Sequence, residues 1–265
     1  MRPFTTIQFI LGVLAVWGCG AVGAAEPAAA LKKPDWSLYY AGEYVYERNC
    51  QVCHGRRGDG QGKWAADILP KPRSFKHANF KYRSTPFGKL PTDDDLKKTI
   101  RGGRSNTAMG MFKKLSERDL NAVVEYIKFF SPKWRNPDFL GEPLALPEEP
   151  EWFVDPQRRK EHAVAGREVF ALACQQCHGE KGDGTGPNAA QLKDHLERPI
   201  KPADLRNPHL RSGKDHRDII RVLMTGLNGT PMVSFAETLT PEQMWNVVAY
   251  VDLLRTQHVL RKAGP

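Results

Sequence analysis

Apolar positions recur at helical spacing in several stretches of this chain, and polar residues mark where those stretches begin. Ser116, with Asp119 three residues on, precedes Leu120, Val123, Val124 and Ile127, and Thr240, Pro241 and Gln243 precede Met244, Val247, Val248 and Val251. A hydroxyl that accepts from an unpaired N–H of the first turn, with an acid or amide three residues later, is a helix start, and proline fits the first helical position. The same spacing predicts helices from about Ser37 to Asn49 and from about Arg158 to Ala173. No long alternation of period two marks a sheet, so the expected fold is all-α. Two other segments read differently. Arg2 followed by the apolar run Ile7 to Trp17 and the small residues Gly23, Ala24 and Ala25 predicts a secretory signal peptide over 1–25, too short in its apolar part for the ~20 residues that span a bilayer. Between the helical halves, Pro132, Pro137, Pro143, Pro147, Pro150 and Pro156 exclude a regular helix or central strand over 132–157. This is a semi-extended linker, whose Trp134, Phe139, Trp152 and Phe153 either pack along the domains or ride on an exposed spacer.

The two halves repeat each other. "CQVCHGRRGDGQG" from Cys50 returns as "CQQCHGEKGDGTG" from Cys174, 124 positions later, and Gly42 and Tyr46 correspond to Gly166 and Phe170 at the same offset. The offset is 128 at Arg83 and Arg211, which places a small insertion in the second copy, within "KDHLERPI", and it returns to 123 at Met109 and Met232 and to 124 at Tyr126 and Tyr250. One domain has been duplicated, with the copies at 26–131 and 158–265.

Charge narrows the partners. The formal net charge is +9, and removing 1–25 takes away Arg2 and no acid, leaving +8. Such a balance suits an acidic protein partner or peripheral association with an anionic membrane surface; export excludes nucleic acid. Beyond Cys19 in the leader, the cysteines are Cys50, Cys53, Cys174 and Cys177, all inside the repeated motif.

A cysteine pair two residues apart followed at once by histidine is the attachment motif for c-type haem. The two sulfurs form thioethers with the two vinyl groups, and the adjacent histidine, His54 or His178, is carried to the iron as an axial ligand. A four-cysteine zinc ribbon has ~15 to 20 residues between pairs, against 124 here. A thioredoxin-like pair does not need the histidine and requires a βαβ setting that this pattern does not offer, and structural disulfides leave both histidines unexplained. The sixth ligand is expected from methionine: Met109 lies 55 residues after His54 and Met232 lies 54 after His178, each in Thr-x-Met and each three positions before a phenylalanine, Phe112 or Phe235. Met/His ligation raises the reduction potential. Met111 competes with Met109, which the register to Phe112 favours. Met224 and Met244 are expected in the core, and His77, His195, His209 and His216 on the surface, although any of these histidines could replace a methionine as ligand.

With these motifs, each half resembles a class I cytochrome c domain, and the chain as a whole resembles a bacterial periplasmic di-haem cytochrome c. The resemblance implies two covalently attached haems, an electron-carrying rather than catalytic role, redox protein partners with an acidic docking surface, and a periplasmic location. It also implies a close crossing of first and last helices, made by Gly42 and Tyr46 on Tyr126 and by Gly166 and Phe170 on Tyr250. A loop carbonyl that accepts from the ligand histidine is expected at Pro187, with Lys63 standing at that place in the first copy. Arg83 and Arg211 are expected either to neutralise haem propionates or to lie solvated on the surface. Basic pairs, among them Lys32 and Lys33, Arg56 and Arg57, and Lys113 and Lys114, would line a docking rim. Di-haem peroxidases and thiosulfate-oxidising dehydrogenases have the same haem count. The first needs an iron that opens a position, and the second uses a cysteine ligand that this chain does not have to spare. A third relative, the membrane-anchored di-haem oxidase subunit, would retain the N-terminal segment.

Overall fold

The computed structural model describes residues 35–263, so the predicted signal peptide lies outside the described residues. Among them the regular structure is helical, with no strand; only isolated bridges pair Lys193 with Pro199 and Leu210 with Gly213. The first copy contains α1 (Trp36–Asn49), α2 (Gln51–His54), α3 (Asp93–Gly102) and α4 (Glu117–Phe129), and the second α5 (Pro156–Ala173), α6 (Gln175–His178), α7 (His216–Thr225) and α8 (Pro241–Ala263).

The helices begin where local chemistry dictates. The Ser116 hydroxyl accepts from the Asp119 N–H at 3.1 Å. At α8 the bonds are reciprocal, with Gln243 N–H donating to Thr240 Oγ1 at 3.2 Å and Thr240 N–H to Gln243 Oε1 at 2.9 Å. α5 starts two residues ahead of expectation, because Asp155 accepts from the Gln157 and Arg158 N–H groups. Pro156, counted above with the linker, occupies the first helical position, where a missing N–H costs nothing.

Each copy is closed by the crossing of its first and last helices. A Cβ at Gly42 would lie 2.1 Å from the Ala122 carbonyl oxygen and 2.8 Å from Tyr126 Cβ; at Gly166 it would lie 1.9 Å from the Asn246 oxygen and 3.1 Å from Tyr250 Cβ. Only hydrogen fits between these backbones. Beside each crossing the aromatic rings meet, Tyr46 with Tyr126 and Phe170 with Tyr250, both at 5.2 Å between centroids. The apolar stripe of α4 (Leu120, Val123, Val124, Ile127) and that of α8 (Met244, Val247, Val248, Val251) are buried, so each crossing also seals a core.

The linker packs rather than dangles. Short 3-10 turns at Pro132–Arg135 and Pro137–Phe139 set Trp134 and Phe139 against the first core, while Trp152 and Phe153, on Glu151–Val154, are buried in the second. The predicted insertion is a small turn around Asp194, whose carboxylate accepts from the Leu196 and Arg198 N–H groups and from the Arg198 guanidinium.

The crossing gives the first prediction. Gly166→Ala places a methyl group against a helix backbone that cannot rotate away, and overpacking of this kind costs about 2–3 kcal/mol. Denaturant unfolding should show that loss, whereas Gly102→Ala, where a Cβ would meet nothing within 4 Å, should leave stability near wild type.

Candidate functional site

Both attachment motifs fold into the same hydrogen-bonded turn. α2 and α6 are single helical turns ending at the histidine. Behind them Gly60 N–H donates to the His54 carbonyl and Gly184 N–H to the His178 carbonyl, each at 2.8 Å, and Gly62 and Gly186 donate to Cys53 and Cys177. Four cysteines, Cys50, Cys53, Cys174 and Cys177, are free and partly buried. Burial pushes the Cys50 thiol up to about 12 and Cys174 up to about 11, and the paired cysteine adds to the effect. Thiols held protonated are poor nucleophiles for dithiol exchange, which uses the thiolate. Among the described residues no three His, Cys, Asp or Glu side chains converge as a metal cluster.

The histidines are fixed by backbone oxygen. His54 Nδ1 lies 2.9 Å from the Arg73 carbonyl and His178 Nδ1 lies 3.1 Å from the Ala203 carbonyl. A carbonyl only accepts, so each Nδ1 carries the proton and each Nε2 keeps its lone pair free for a metal. Burial lowers both pKa values, against the carbonyl bond that raises them, so the neutral ring prevails at neutral pH. This corrects the expectation that placed the accepting carbonyl at Pro187 and its counterpart Lys63. The stretch after the glycines is tied back to the attachment turn instead, by Trp64 N–H on the Val52 oxygen and Asn188 N–H on the Gln176 oxygen. The chain returns over the histidine later, where Phe75 N–H meets the Gly58 oxygen at 2.6 Å and Leu205 N–H the Gly182 oxygen at 2.7 Å. A repeat signal was present for this: Lys71 and Pro72 precede Arg73, and Lys201 and Pro202 precede Ala203. Both copies thus have a proline before the accepting residue.

The two Thr-x-Met loops also match bond for bond. Arg104 N–H donates to the Met109 oxygen (3.0 Å) and Leu227 N–H to the Met232 oxygen (2.8 Å). Met109 N–H rests on Thr107 Oγ1 and Met232 N–H on Thr230 Oγ1, and each threonine hydroxyl returns 2.8 Å to the carbonyl that opens the loop. Met109 and Met232 are half-buried, whereas Met111 is 63% exposed. Met244 is buried and Met224 packs against the second core. Of the spare histidines, His77, His195 and His209 are exposed, and half-buried His216 bonds Asp252 at 3.1 Å.

Between the copies lies a concentration of cations that sequence reasoning did not find. Burial holds Arg73, Arg104 and Lys81 below their ordinary ranges, Lys81 at about 8, and at Lys81 the charges of Arg73, Arg211 and Arg198 add to the effect. The neighbouring anion, Asp194, is already bound by Arg198. Nearby, Ser74 Oγ and Arg104 Nε are buried without a hydrogen-bond partner. Half-buried cations that outnumber the anions near them fit a group that brings carboxylates, and a haem brings two. The donor set as a whole therefore fits covalently held haem: paired thiols, an oriented imidazole, a thioether loop and cations for the propionates. Arg83 takes no part in this and is not solvated either. It is 1% exposed and donates to the Thr225 and Gly226 carbonyls of the second copy at 2.5 and 3.3 Å, while its register partner Arg211 is exposed. Both expectations for Arg83 are corrected by burial against a helix end that sequence does not reveal.

Residues 163–255 match the family model described as cytochrome c, and residues 38–127 match cytochrome c oxidase, cbb3-type, subunit III. A chain of the Kuenenia stuttgartiensis reducing HAO-like protein complex is 35% identical, with a TM-score of 0.73, over 81% of this chain and 95% of that one. The chain belongs to the cytochrome c family. Comparison with curated proteins gives no match. Two cytochrome c domains stand in tandem, and such domains hold covalently bound c-type haem for electron transfer. In this cytochrome Met111→Leu should leave the sulfur-to-iron charge-transfer band of the oxidised protein intact. Met109→Leu should remove one site's share of it and lower one reduction potential, because methionine favours the ferrous state; potentiometric titration of both variants checks this.

Proposed function

We propose that the chain is a periplasmic di-haem electron carrier that passes single electrons between redox partners, with 26–131 and 158–265 as carrier domains, 132–157 as linker and 1–25 as a cleaved signal peptide. The observation that carries this reading is the duplication of the whole site, turn for turn and bond for bond. Cys50 and Cys53 would hold one haem and Cys174 and Cys177 the other, with His54 and Met109, and His178 and Met232, as axial ligands. When bound, each haem supplies a one-electron ferric/ferrous couple.

The protein's part is to hold ligands still. Nδ1–H bonds to backbone oxygen fix the rings, and the Thr107 and Thr230 hydroxyls brace the methionine loops. A histidine and a methionine available for each iron would leave no coordination site for substrate, which favours a carrier over a peroxidase. Exposed Arg56 and Arg57 by the first attachment turn, and Lys113 and Lys114 beyond the Met109 loop, suit brief docking to an acidic partner through charge steering. The relative from Kuenenia stuttgartiensis belongs to a protein complex, which supports a role as the electron-transfer subunit of a larger respiratory assembly. The match of 38–127 to an oxidase subunit favours a second reading, a membrane-attached oxidase subunit. Among the described residues no helix is long and apolar enough to cross a membrane, and this second reading places the anchor in a retained N-terminal segment; the mass of the mature N-terminus separates the two readings.

The main test is spectroscopic. Two low-spin haems with methionine charge-transfer intensity for both, and no ready carbon monoxide uptake after reduction, are expected. Replacing Cys50 and Cys53, or Cys174 and Cys177, by alanine should each remove one haem mass. A high-spin haem that takes up carbon monoxide readily would put a di-haem enzyme ahead.

A further inference from the structure

The two methionine loops have the same internal bonds but different neighbours. The Met232 loop leaves α7 at Gly226, with φ of 62°, and a Cβ there would lie 2.7 Å from Ser234 N and Val233 C and 2.8 Å from the Phe87 ring. The loop's outgoing and returning backbone and the first domain's Phe87 thus meet at one point. Arg83 donates to the Thr225 and Gly226 carbonyls at the end of α7, groups that a helix leaves unpaired and that carry its negative pole. Asn228, 6% exposed, is bonded twice to the same first-domain segment: Gly88 N–H donates to its Oδ1 and its Nδ2 donates to the Lys89 carbonyl, both at 2.9 Å.

That segment is itself held. Ser84 bonds Asp95 through both N–H and hydroxyl at 2.8 Å, Leu144 N–H donates to the Ser84 oxygen at 2.8 Å, and Leu90 N–H to the Phe139 oxygen at 2.7 Å. The packed linker and the start of α3 therefore back residues 83–90. In the opposite direction the contacts are made by side chains at the surface: Lys98 of α3 pairs with Asp218 at 3.5 Å, and among the described residues no first-domain helix-end carbonyl is given a second-domain guanidinium. The Met109 loop reaches the second domain through exposed Asn106, whose Nδ2 donates to the His209 carbonyl at 2.6 Å, and Arg211 is exposed rather than buried on the helix end that would be its target.

We propose that Arg83, together with Asn228, is a positioning residue for Met232: the first domain clamps the ligand loop of the second, and the second does not clamp that of the first. The inference rests on the reading of Met232 as an axial ligand. Releasing a methionine from iron requires its loop to open locally, and contacts made only in the closed form suppress that opening. The Met232 site is therefore the firmer of the two, and Met109 is the first to let go.

The test uses the full-length haem-loaded protein at neutral pH, with carbon monoxide uptake after reduction and the charge-transfer band of the oxidised form as readouts. Arg83→Met should accelerate uptake at the Met232 site about tenfold or more, the scale of a lost charge-assisted bond, with no change at the Met109 site. Arg83→Lys should recover part of the loss, and Asn228→Ala should act in the same direction if Arg83→Met fails to fold. Met232→Leu identifies which phase and which share of the band belong to that site. If Met232→Leu removes its share and neither Arg83→Met nor Asn228→Ala changes that phase, the clamp is wrong. If Met232→Leu leaves the full band, the ligand reading itself fails and the clamp with it.

Discussion

The contact of two helix backbones at Gly42 and again at Gly166 governs the rest of this structure. Because no side chain separates them there, each copy's first and last helices lock at a fixed depth, and the cysteine turn that follows the first helix is delivered to the edge of the core. The aromatic pairs beside the crossing extend it, Tyr46 by a 2.7 Å bond from its hydroxyl to the Gly55 carbonyl. A looser crossing would leave the attachment turn without a floor.

From that floor the site is assembled almost entirely by backbone. Carbonyls of Arg73 and Ala203 orient the imidazoles, carbonyls of Met109 and Met232 close the ligand loops, and the side chains that matter are short ones, Thr107 and Thr230. Backbone-built sites tolerate sequence change, which explains how the copies keep one geometry while Phe75 in the first gives way to Leu205 in the second. Where side chains do take over, the copies part company. His54 stacks on Phe75 at 4.5 Å between ring centroids, a contact that Leu205 cannot reproduce beside His178.

The region between the domains carries the opposite physics. Arg73 and Lys81, both half-buried, stand among the charges of Arg211 and Arg198, an arrangement that costs free energy until anions arrive. Arg83, a few positions away, is buried too, held by burial at about 10 against the attraction of Asp95, yet it is satisfied by carbonyls. Cations on one stretch of chain, Arg73 and Lys81 on the one hand and Arg83 on the other, thus serve two ends: charge left for a ligand, and charge consumed in joining the domains.

Much of this was legible in the chain. Helical spacing and caps gave the long helices, because burial of one helix face imposes a period that local sequence must obey. The Cys-x-x-Cys-His spacing gave the chemistry, because two thioethers and an axial imidazole require that separation, and the repeat gave it twice. The role of Arg83, the accepting carbonyls at Arg73 and Ala203 and the shared cation cluster were not legible. A carbonyl belongs to every residue and leaves no mark in composition, and Arg83 and Arg211 are alike in sequence context. Which of them meets a helix end is decided by how two copies of one domain pack against each other, a contact between surfaces more than a hundred residues apart that no local pattern encodes.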